Sequence, residues 1–292
     1  MPKKFKHIGI IARLRATNGK ETLLNLISFL QAERIGFVIE QETADYLAHP
    51  HLPTCAREEL GKHCDLIIVV GGDGSLLYAA KTVVDQQIPV LGINRGRLGF
   101  LADIKPSELT TRLGPILNGH YHEEQRFLLD AVIRNGTHIL YHEIALNEVI
   151  LIPGAIAHMI EFEVYINQKF VFSQRADGQI IATPTGSTAY ALSGGGPILQ
   201  PGLDAIVLVP MFPHTLSSRP IVVDGSSNIE IVIAKDNVTA PHLSCDGQER
   251  VPVPLGYQIH IRKKTETLKL IHPLDYDYYE TLRTKLRWGA KL

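Results

Sequence analysis

The sequence of 292 residues is 45% hydrophobic and 20% charged, which is typical of a soluble globular protein with one large or two medium domains. Its 29 Lys and Arg residues balance 30 Asp and Glu residues, and the net charge of −1 excludes the broad basic surface on which nucleic acid or an anionic membrane binds. Three cysteines at no metal-ligand spacing, and no apolar run of membrane-spanning length, predict a cytoplasmic protein without an anchor.

Strand and helix patterns alternate over residues 7–120. The predicted strands cover residues 8–12, 37–40, 66–70 and 88–94. Predicted helices follow the first, third and fourth of these strands, whereas residues 43–62 are predicted to be polar and irregular. Such alternation indicates βαβ units, so we expect an α/β domain with a parallel sheet over residues 1–120.

After His120 the pattern changes to short strands and turns. Hairpins are predicted at Asn135-Gly136 and Asn167-Gln168. Further strands are predicted at 179–183, 205–209, 219–223, 228–234, 242–245, 258–263 and 267–271, with one possible helix at 188–193. We therefore expect a mostly antiparallel, all-β, sandwich-like domain over residues 121–273. The tail, residues 274–292, is predicted to be a helix that returns to the first domain, because an isolated helix of this length is marginally stable in water.

A glycine turn with an aspartate, Gly71-Gly72-Asp73-Gly74, directly follows the apolar strand 66–70. Strand, glycine turn and helix present free backbone N–H groups to an anion, usually a phosphate, although this turn fits neither a Walker A loop nor G-x-G-x-x-G. The Asp73 carboxylate is compatible with a phosphate if it takes the proton of an attacking alcohol or helps to hold a metal ion. The alternative is that Asp73 caps the following helix.

Two later stretches have side chains suited to a nucleotide. Residues 183–190, Thr-Pro-Thr-Gly-Ser-Thr-Ala-Tyr, form a hydroxyl-rich loop that predicts several hydrogen bonds to a ligand, with a plain strand connection as the alternative. Asn147-Glu148 interrupts an apolar stretch, where ribose hydroxyls or an adenine amino group would satisfy both side chains if they are buried. The alternative is a strand end that faces water.

Three other stretches have a turn or loop as their default interpretation. Arg175-Ala176-Asp177-Gly178 predicts a tight turn with a surface ion pair, and Ser244-Cys245-Asp246-Gly247-Gln248 predicts a hairpin turn. Residues 213–220 form a second hydroxyl-rich loop, whose Arg219 is a candidate phosphate contact.

In this order along nearly the whole chain, these stretches resemble the NAD kinase family in its bacterial form. The resemblance rests on Gly71-Gly72-Asp73-Gly74, Asn94-Arg95-Gly96-Arg97-Leu98-Gly99-Phe100, Asn147-Glu148, Asp177-Gly178, residues 183–197, residues 214–220 and Asp246-Gly247-Gln248. It implies an α/β N-terminal domain, a β-sandwich-like C-terminal domain and a nucleotide site between them. It also implies transfer of the γ-phosphoryl group of ATP, or of another phosphate donor such as polyphosphate, to the adenosine ribose 2′-hydroxyl of NAD. The implied cofactor is a divalent cation, Mg²⁺, and the implied assembly is a homo-oligomer, a tetramer or a dimer.

Carried over residue by residue, the resemblance makes Asp73 the general base. Asn147 and Glu148 are expected to contact the ribose and nicotinamide side of NAD, and residues 188–193 its adenine half. The expected substrate-binding residues are Gly72, Asp73, Gly74, Asn147, Glu148, His158, Arg175, Asp177, Thr185, Thr188, Ala189, Tyr190, Ala191, Leu192, Ser193, Phe212 and Gln248.

Two other functions stay open at this point. A lipid or sugar kinase shares the glycine and aspartate turn, but the charge balance gives no sign of the membrane-facing patch that a lipid kinase needs. A non-catalytic sensor that binds NAD(P) is the second alternative. Asp73 argues against a sensor, because a carboxylate beside phosphates adds nothing to binding alone.

Overall fold

The computed structural model describes residues 4–13, 19–49, 51–95, 99–154 and 158–288. The chain divides into two compact units. Unit 1 comprises residues 1–125 and 268–292, and unit 2 comprises residues 126–267. Among the described residues, no helix has the length and apolar character needed to cross a bilayer.

Unit 1 is an α/β unit with a parallel sheet, as predicted. Its strands are β1 (His7–Ala12), β2 (Gly36–Glu40), β3 (Thr54–Cys55), β4 (Leu66–Val70) and β5 (Val90–Ile93). They pair in parallel in the order β3-β2-β1-β4-β5. Its helices before the chain enters unit 2 are α1 (Gly19–Ala32), α2 (Gln41–Leu47), α3 (Leu60–His63), α4 (Asp73–Val83) and α5 (Leu109–Leu117), with 3-10 turns at Arg57–Glu59, Val84–Gln86 and Pro106–Glu108. Every residue of β4 is buried, which explains its unbroken aliphatic sequence.

The prediction that residues 43–62 are irregular was wrong. This stretch contains most of α2, the short strand β3, a 3-10 turn and α3. Helix α2 buries only Thr43, Ala44 and Leu47. Seven residues with a single small apolar stripe give too short a periodic pattern to be recognised from sequence.

Unit 2 is an antiparallel β-sandwich. The strands are β6 (His122–Asn135), β7 (His138–Ala145), β8 (Glu148–Ile152), β9 (Ile160–Ile166), β10 (Lys169–Ala176), β11 (Gly178–Ala182), β12 (Ala205–Met211), β13 (Ile221–Asp224), β14 (Ile229–Ile233), β15 (His242–Cys245), β16 (Arg250–Pro252) and β17 (Gln258–His272). In one layer β10, β9, β14, β17, β6 and β7 are successive neighbours, and the other layer has the order β13-β12-β11-β8-β15-β16. Phe162, Ile231, Leu151 and Leu208 represent the apolar core to which both layers contribute.

Two details of the strand prediction were wrong. Residues 258–272 form one strand, β17, rather than two, because the charged residues between its apolar ends continue the extended backbone. Strand β16 was not predicted, since it has only three residues and ends in a proline. A proline is tolerated there because β16 is an edge strand. Strands β6 and β17 run from one unit into the other along the chain.

The far face of the second layer supports the hydroxyl-rich loop. Ile180, Ala182 and Val207 pack there against Ala191 and Leu199. This packing holds a 3-10 turn, Gly186–Thr188, and the short helix α6 (Tyr190–Ser193), where the sequence predicted a helix at 188–193.

The C-terminal helix belongs to unit 1, as predicted, but it is shorter than residues 274–292. Helix α7 covers Tyr278–Leu286, and residues 289–292 lie outside the described residues. The side chain of Asp277 caps it by accepting the N–H of Tyr279, and Arg287 ends it in the left-handed conformation. Thr281 and Leu282 are its buried contacts.

Candidate active site

Asp73 is the first residue of α4, but its carboxylate does not cap that helix. The cap position is Gly72, and no side chain caps it. Instead Asp73 Oδ2 accepts the backbone N–H of Phe100 and Oδ1 accepts that of Leu101, each at 3.0 Å. The capping hypothesis is therefore wrong, and the half-buried carboxylate is held by a loop 27 and 28 residues further along the chain.

The glycines around Asp73 serve different purposes. A Cβ at Gly99 would lie 2.2 Å from Asp73 Oδ1, so a larger residue there would displace the carboxylate. At Gly72 and Gly74 a Cβ would meet nothing within 4 Å. These two glycines leave the N-terminus of α4 open, where the helix dipole and free N–H groups favour an anion. Residues 96–98, which belong to the stretch 94–100 on which the resemblance partly rests, lie outside the described residues.

Asn147 and Glu148 lie at the start of β8 and are held there by Asp246. One carboxylate, Asp246, accepts the backbone N–H groups of Leu146 at 3.0 Å, Asn147 at 2.7 Å and Glu148 at 3.2 Å. Asp246 belongs to the hairpin turn between β15 and β16, which confirms the predicted turn. The sequence offers an Asp-Gly turn at this position, but nothing in it indicates that the Asp246 carboxylate holds the start of β8.

Glu148 is a buried carboxyl group with an unused hydrogen-bonding atom. Only 5% of the residue is exposed, so the water-facing alternative is wrong for it. The backbone amide of Tyr190 hydrogen-bonds to the carboxyl group, whereas Oε2 is buried without a partner among the described residues. Burial, together with the negative charge of Asp246, raises the pKa of Glu148 to about 8 against the smaller effect of the Tyr190 amide. Glu148 is therefore mostly protonated at neutral pH.

The hydroxyl-rich loop uses several of its hydroxyls to hold its own shape. The Thr183 hydroxyl donates to Leu146 O at 2.6 Å, and the Ser187 hydroxyl donates to Pro184 O at 2.6 Å. The buried Arg126 donates to the Thr185 hydroxyl at 3.2 Å, a contact that the sequence did not predict. Thr188 donates to Thr185 O. These hydrogen bonds hold the loop in one conformation ahead of α6.

Three of the predicted site residues line one cavity of unit 2. Tyr190, Ser193 and Phe212 surround a space of about 570 Å³ together with Met211, Leu216 and Arg219. Phe212 is 77% exposed and has a positive φ of 44°, which is a strained conformation for a bulky residue. The predicted phosphate contact Arg219 donates to the carbonyl groups of Leu216 and Ser218 in its own loop.

Arg175 and Asp177 do not form the predicted surface ion pair with each other. Arg175 is exposed, and its Nε lies 3.7 Å from Oε1 of Glu161. Backbone hydrogen bonds from His214 N to Arg175 O and from Asp177 N to Met211 O bring this turn next to Phe212.

The last two predicted residues, His158 and Gln248, are exposed. His158 precedes β9, and Gln248 lies in the β15–β16 turn beside Asp246. Asp73 and its neighbouring glycines belong to unit 1, whereas the other predicted site residues belong to unit 2. Within the described ranges, no group of three or more His, Cys, Asp or Glu side chains is arranged to hold a metal ion.

Comparison with known proteins matches both halves of the chain to one family. Residues 8–121 match the ATP-NAD kinase N-terminal domain, and residues 146–273 match the ATP-NAD kinase C-terminal domain. The NAD kinases of Chromohalobacter salexigens and Pseudomonas fluorescens are each 53% identical to this chain over 288 and 290 residues, which cover 99% of this chain and 98% of each relative.

Solved structures of two more distant proteins share the fold. Yeast NADH kinase complexed with NADH has a TM-score of 0.89 at 23% identity and covers 100% of this chain and 93% of that chain. An NAD kinase from Archaeoglobus fulgidus in complex with ATP has a TM-score of 0.76 at 24% identity, covering 96% and 98%. Given the identity to the bacterial relatives over nearly its full length, the chain belongs to the NAD kinase family.

Proposed function

We propose that this protein transfers the γ-phosphoryl group of ATP, or of another phosphate donor, to the 2′-hydroxyl of the adenosine ribose of NAD, giving NADP. As a member of the NAD kinase family it is an enzyme, a phosphotransferase with an alcohol acceptor. The observation that carries the proposal is the Asp73 carboxylate, held at 3.0 Å by two backbone N–H groups beside the open N-terminus of α4. A base and an anion-binding backbone thus lie side by side.

In the proposed reaction Asp73 accepts the proton of the 2′-hydroxyl. Each carboxylate oxygen has two lone pairs, and each uses one for Phe100 or Leu101, so a lone pair stays available for the proton. The 2′-oxygen forms a bond to the γ-phosphorus while the bond from that phosphorus to the β-phosphate bridging oxygen breaks, and ADP leaves. The N–H groups of α4 near Gly72 and Gly74 offset the phosphate charge.

The proposed dinucleotide contacts lie in unit 2. A protonated Glu148 donates one hydrogen bond and accepts others, which matches the needs of a ribose hydroxyl. Its partnerless Oε2 supports this role, because buried polar atoms normally have a partner. The exposed rings of Tyr190 and Phe212 offer surfaces on which a base stacks. Asn147, His158, Arg175, Asp177, Gln248 and residues 185–193 complete the proposed contacts.

A divalent cation, Mg²⁺, is part of the proposal. Magnesium keeps several waters and binds through one or two carboxylates plus substrate phosphates, so it needs no cage of three protein ligands. Asp73 supplies a carboxylate for that mode, since it lies beside the open N-terminus of α4 and each of its oxygens keeps a lone pair. When bound, the cation neutralises part of the phosphate charge.

The NADH of the yeast structure and the ATP of the Archaeoglobus fulgidus structure support NAD and ATP as the substrates proposed for this chain. We also propose that the protein works in the cytoplasm as a homo-oligomer, a dimer or a tetramer. Light scattering coupled to size-exclusion chromatography tests the assembly, and a monomer at micromolar concentration would contradict it.

The test of the proposed function is incubation with NAD, ATP and Mg²⁺, with NADP measured by an NADP-specific dehydrogenase. NADP should form, and the NAD analogue without the adenosine 2′-hydroxyl should give no phosphorylated product. Parallel assays with diacylglycerol and fructose 6-phosphate test the lipid and sugar kinase alternatives. Binding of NAD without any NADP would favour the sensor, and phosphorylation of the 2′-deoxy analogue would overturn the acceptor assignment.

A further inference from the structure

The loop that holds Asp73, residues 99–103, is attached to the sheet of unit 1. Its backbone is held by Asn94, whose side chain donates to Ala102 O at 3.2 Å. Gly92 lies so close to Ala102 that a Cβ there would approach the Ala102 Cα within 2.8 Å. The five residues of the loop are Gly99, Phe100, Leu101, Ala102 and Asp103. Asp103 is thus the only one of them whose side chain can form a hydrogen bond.

Asp103 reaches a buried histidine at the end of β17. Its Oδ2 lies 3.0 Å from Nδ1 of His272, which is 1% exposed. The other ring nitrogen of His272 lies 3.4 Å from Oε2 of Glu124 on β6. The imidazole also stacks on Tyr276, with ring centroids 4.0 Å apart.

The backbone around His272 makes it a fixed anchor. Leu270 and Ile271, the residues before it, pair in parallel with Val90 and Leu91 of β5. Burial on its own lowers the pKa of His272, but the hydrogen bond to Asp103 and the negative charges of Asp103 and Glu124 outweigh that effect and raise it. A raised pKa favours the charged imidazole, whose hydrogen bond to the Asp103 carboxylate is stronger than that of the neutral ring.

We propose that Asp103 and His272 are positioning residues that fix the loop 99–103, and with it the orientation of the Asp73 carboxylate. Asp103 lies two positions after Leu101, with only Ala102 between them, so movement of Asp103 displaces the two amides that hold Asp73. The catalytic consequence rests on the proposed function, in which Asp73 is the base. The positional part does not, because it concerns only the loop.

Glu124 supplies a matched control within the same cluster. It contacts the same imidazole as Asp103 does, but it lies on β6 and not on the loop that donates to Asp73. Loss of either carboxylate removes one charged partner of His272. A purely structural role for the cluster therefore predicts similar effects from both losses, whereas the positioning role predicts unequal ones.

The experiment compares Asp103→Ala with Glu124→Ala in the full chain. Asp103→Ala should accelerate hydrogen–deuterium exchange of the Phe100 and Leu101 amides, and Glu124→Ala should not. Asp103→Ala should also lower kcat roughly 10- to 100-fold with the KM for NAD nearly unchanged, because small displacements of a catalytic group have effects of this size. Glu124→Ala should keep kcat within about twofold of the unaltered enzyme, because it leaves that group in place.

A conservative pair, Asp103→Asn and Glu124→Gln, keeps the test valid if an alanine variant does not fold. The Asp103→Asn change keeps an acceptor oxygen but removes the charge, so this pair should show the same order of effects at smaller size. Equal exchange at Phe100 and Leu101 in the two members of a pair would overturn the proposal, as would a kcat of Asp103→Ala equal to that of Glu124→Ala. If the unaltered protein forms no NADP, the proposed function fails, while the exchange comparison still decides the positioning role.

Discussion

Two carboxyl groups of the proposed site, Asp73 and Glu148, occupy opposite environments. Asp73 is half-buried, and each of its oxygens accepts a backbone N–H group at 3.0 Å. Glu148 is 5% exposed, has Oε2 without a partner among the described residues, and lies near the negative charge of Asp246. The two N–H groups orient the Asp73 carboxylate, whereas burial beside a negative charge favours the neutral form of Glu148.

The two environments give the same chemical group different properties. Environments that differ in burial and in neighbouring charge separate the protonation states of carboxyl groups, and such separation is how acid and base functions are divided at neutral pH. Here the neutral Glu148 suits hydrogen bonding to a hydroxyl-rich ligand, while Asp73 suits proton acceptance. Substitutions at Asp73, Asp246 and Glu148 test this contrast.

The largest effect is expected for Asp73→Asn. The variant cannot accept the proton, so kcat should fall ~10²- to 10⁴-fold while NAD still binds. Its amide group also places an N–H donor against the N–H of Phe100 or Leu101, which loosens the loop. Initial rates and calorimetric NAD binding measure the two effects. A shifted Mg²⁺ requirement in the variant would indicate that Asp73 acts through the ion, and full activity would end its assignment as the base.

The second effect tests the support beneath Glu148. Asp246→Ala leaves the N–H groups of Leu146, Asn147 and Glu148 without their acceptor, so the free energy of unfolding should fall by ~1–3 kcal/mol, and the KM for NAD should rise. The control is Asp236→Ala in an exposed turn of unit 2, which should change little. Urea denaturation measures the stability of the two variants, and initial rates measure their KM for NAD. Equal stability of the two variants would mean that Asp246 does not hold this segment.

The third effect concerns the protonation state of Glu148. Glutamine resembles a protonated carboxyl group, so Glu148→Gln should raise the KM for NAD only a few-fold, whereas Glu148→Ala, which removes a hydrogen bond worth about 1 kcal/mol and leaves a cavity, should raise it about tenfold. Both variants should keep kcat within a small factor. A Gln variant as impaired as the Ala variant would show that NAD requires the charged carboxylate.

The last effect is a pH dependence of stability. Glu148 has a folded pKa of about 8, above the ordinary carboxyl value, so between the two values the folded state binds the extra proton, and stability falls as pH rises. Glu148→Gln removes this loss, and its melting temperature should exceed that of the unaltered protein at pH 9 but not at pH 4, by ~2–4 °C per kcal/mol. A constant difference across this pH range would contradict the buried, neutral Glu148.

Much of the fold was predictable because its signals are local. The buried strand β4 and the hairpin of β6 and β7 are written in consecutive residues, as an aliphatic run and an Asn-Gly turn. Helix α2 and strand β16 were missed because they are too short to show a period. A helix or strand can be identified from sequence only when it is long enough for its hydrophobic period to repeat.

The site was predictable in its members more than in its contacts. Asp73 in the glycine turn and Glu148 in its apolar stretch stood out as polar residues in apolar surroundings. The capping hypothesis for Asp73 failed, and the function of Asp246 went unrecognised, because their hydrogen bonds join residues 27 to 28 and 98 to 100 positions apart. Such pairings leave no periodic trace in a sequence.

Local periodicity and residue type were enough to establish the α/β and all-β character of the two halves, the glycine turn and the residues with reactive or hydrogen-bonding side chains. The tertiary structure was needed to show which atoms are buried and which groups distant in sequence meet. It turned Asp73 toward the loop of Phe100 and Leu101, and it raised the pKa of Glu148 to about 8. The physical reason is that burial and electrostatic fields depend on the three-dimensional surroundings of a side chain, whereas its neighbours in sequence supply only a small part of them.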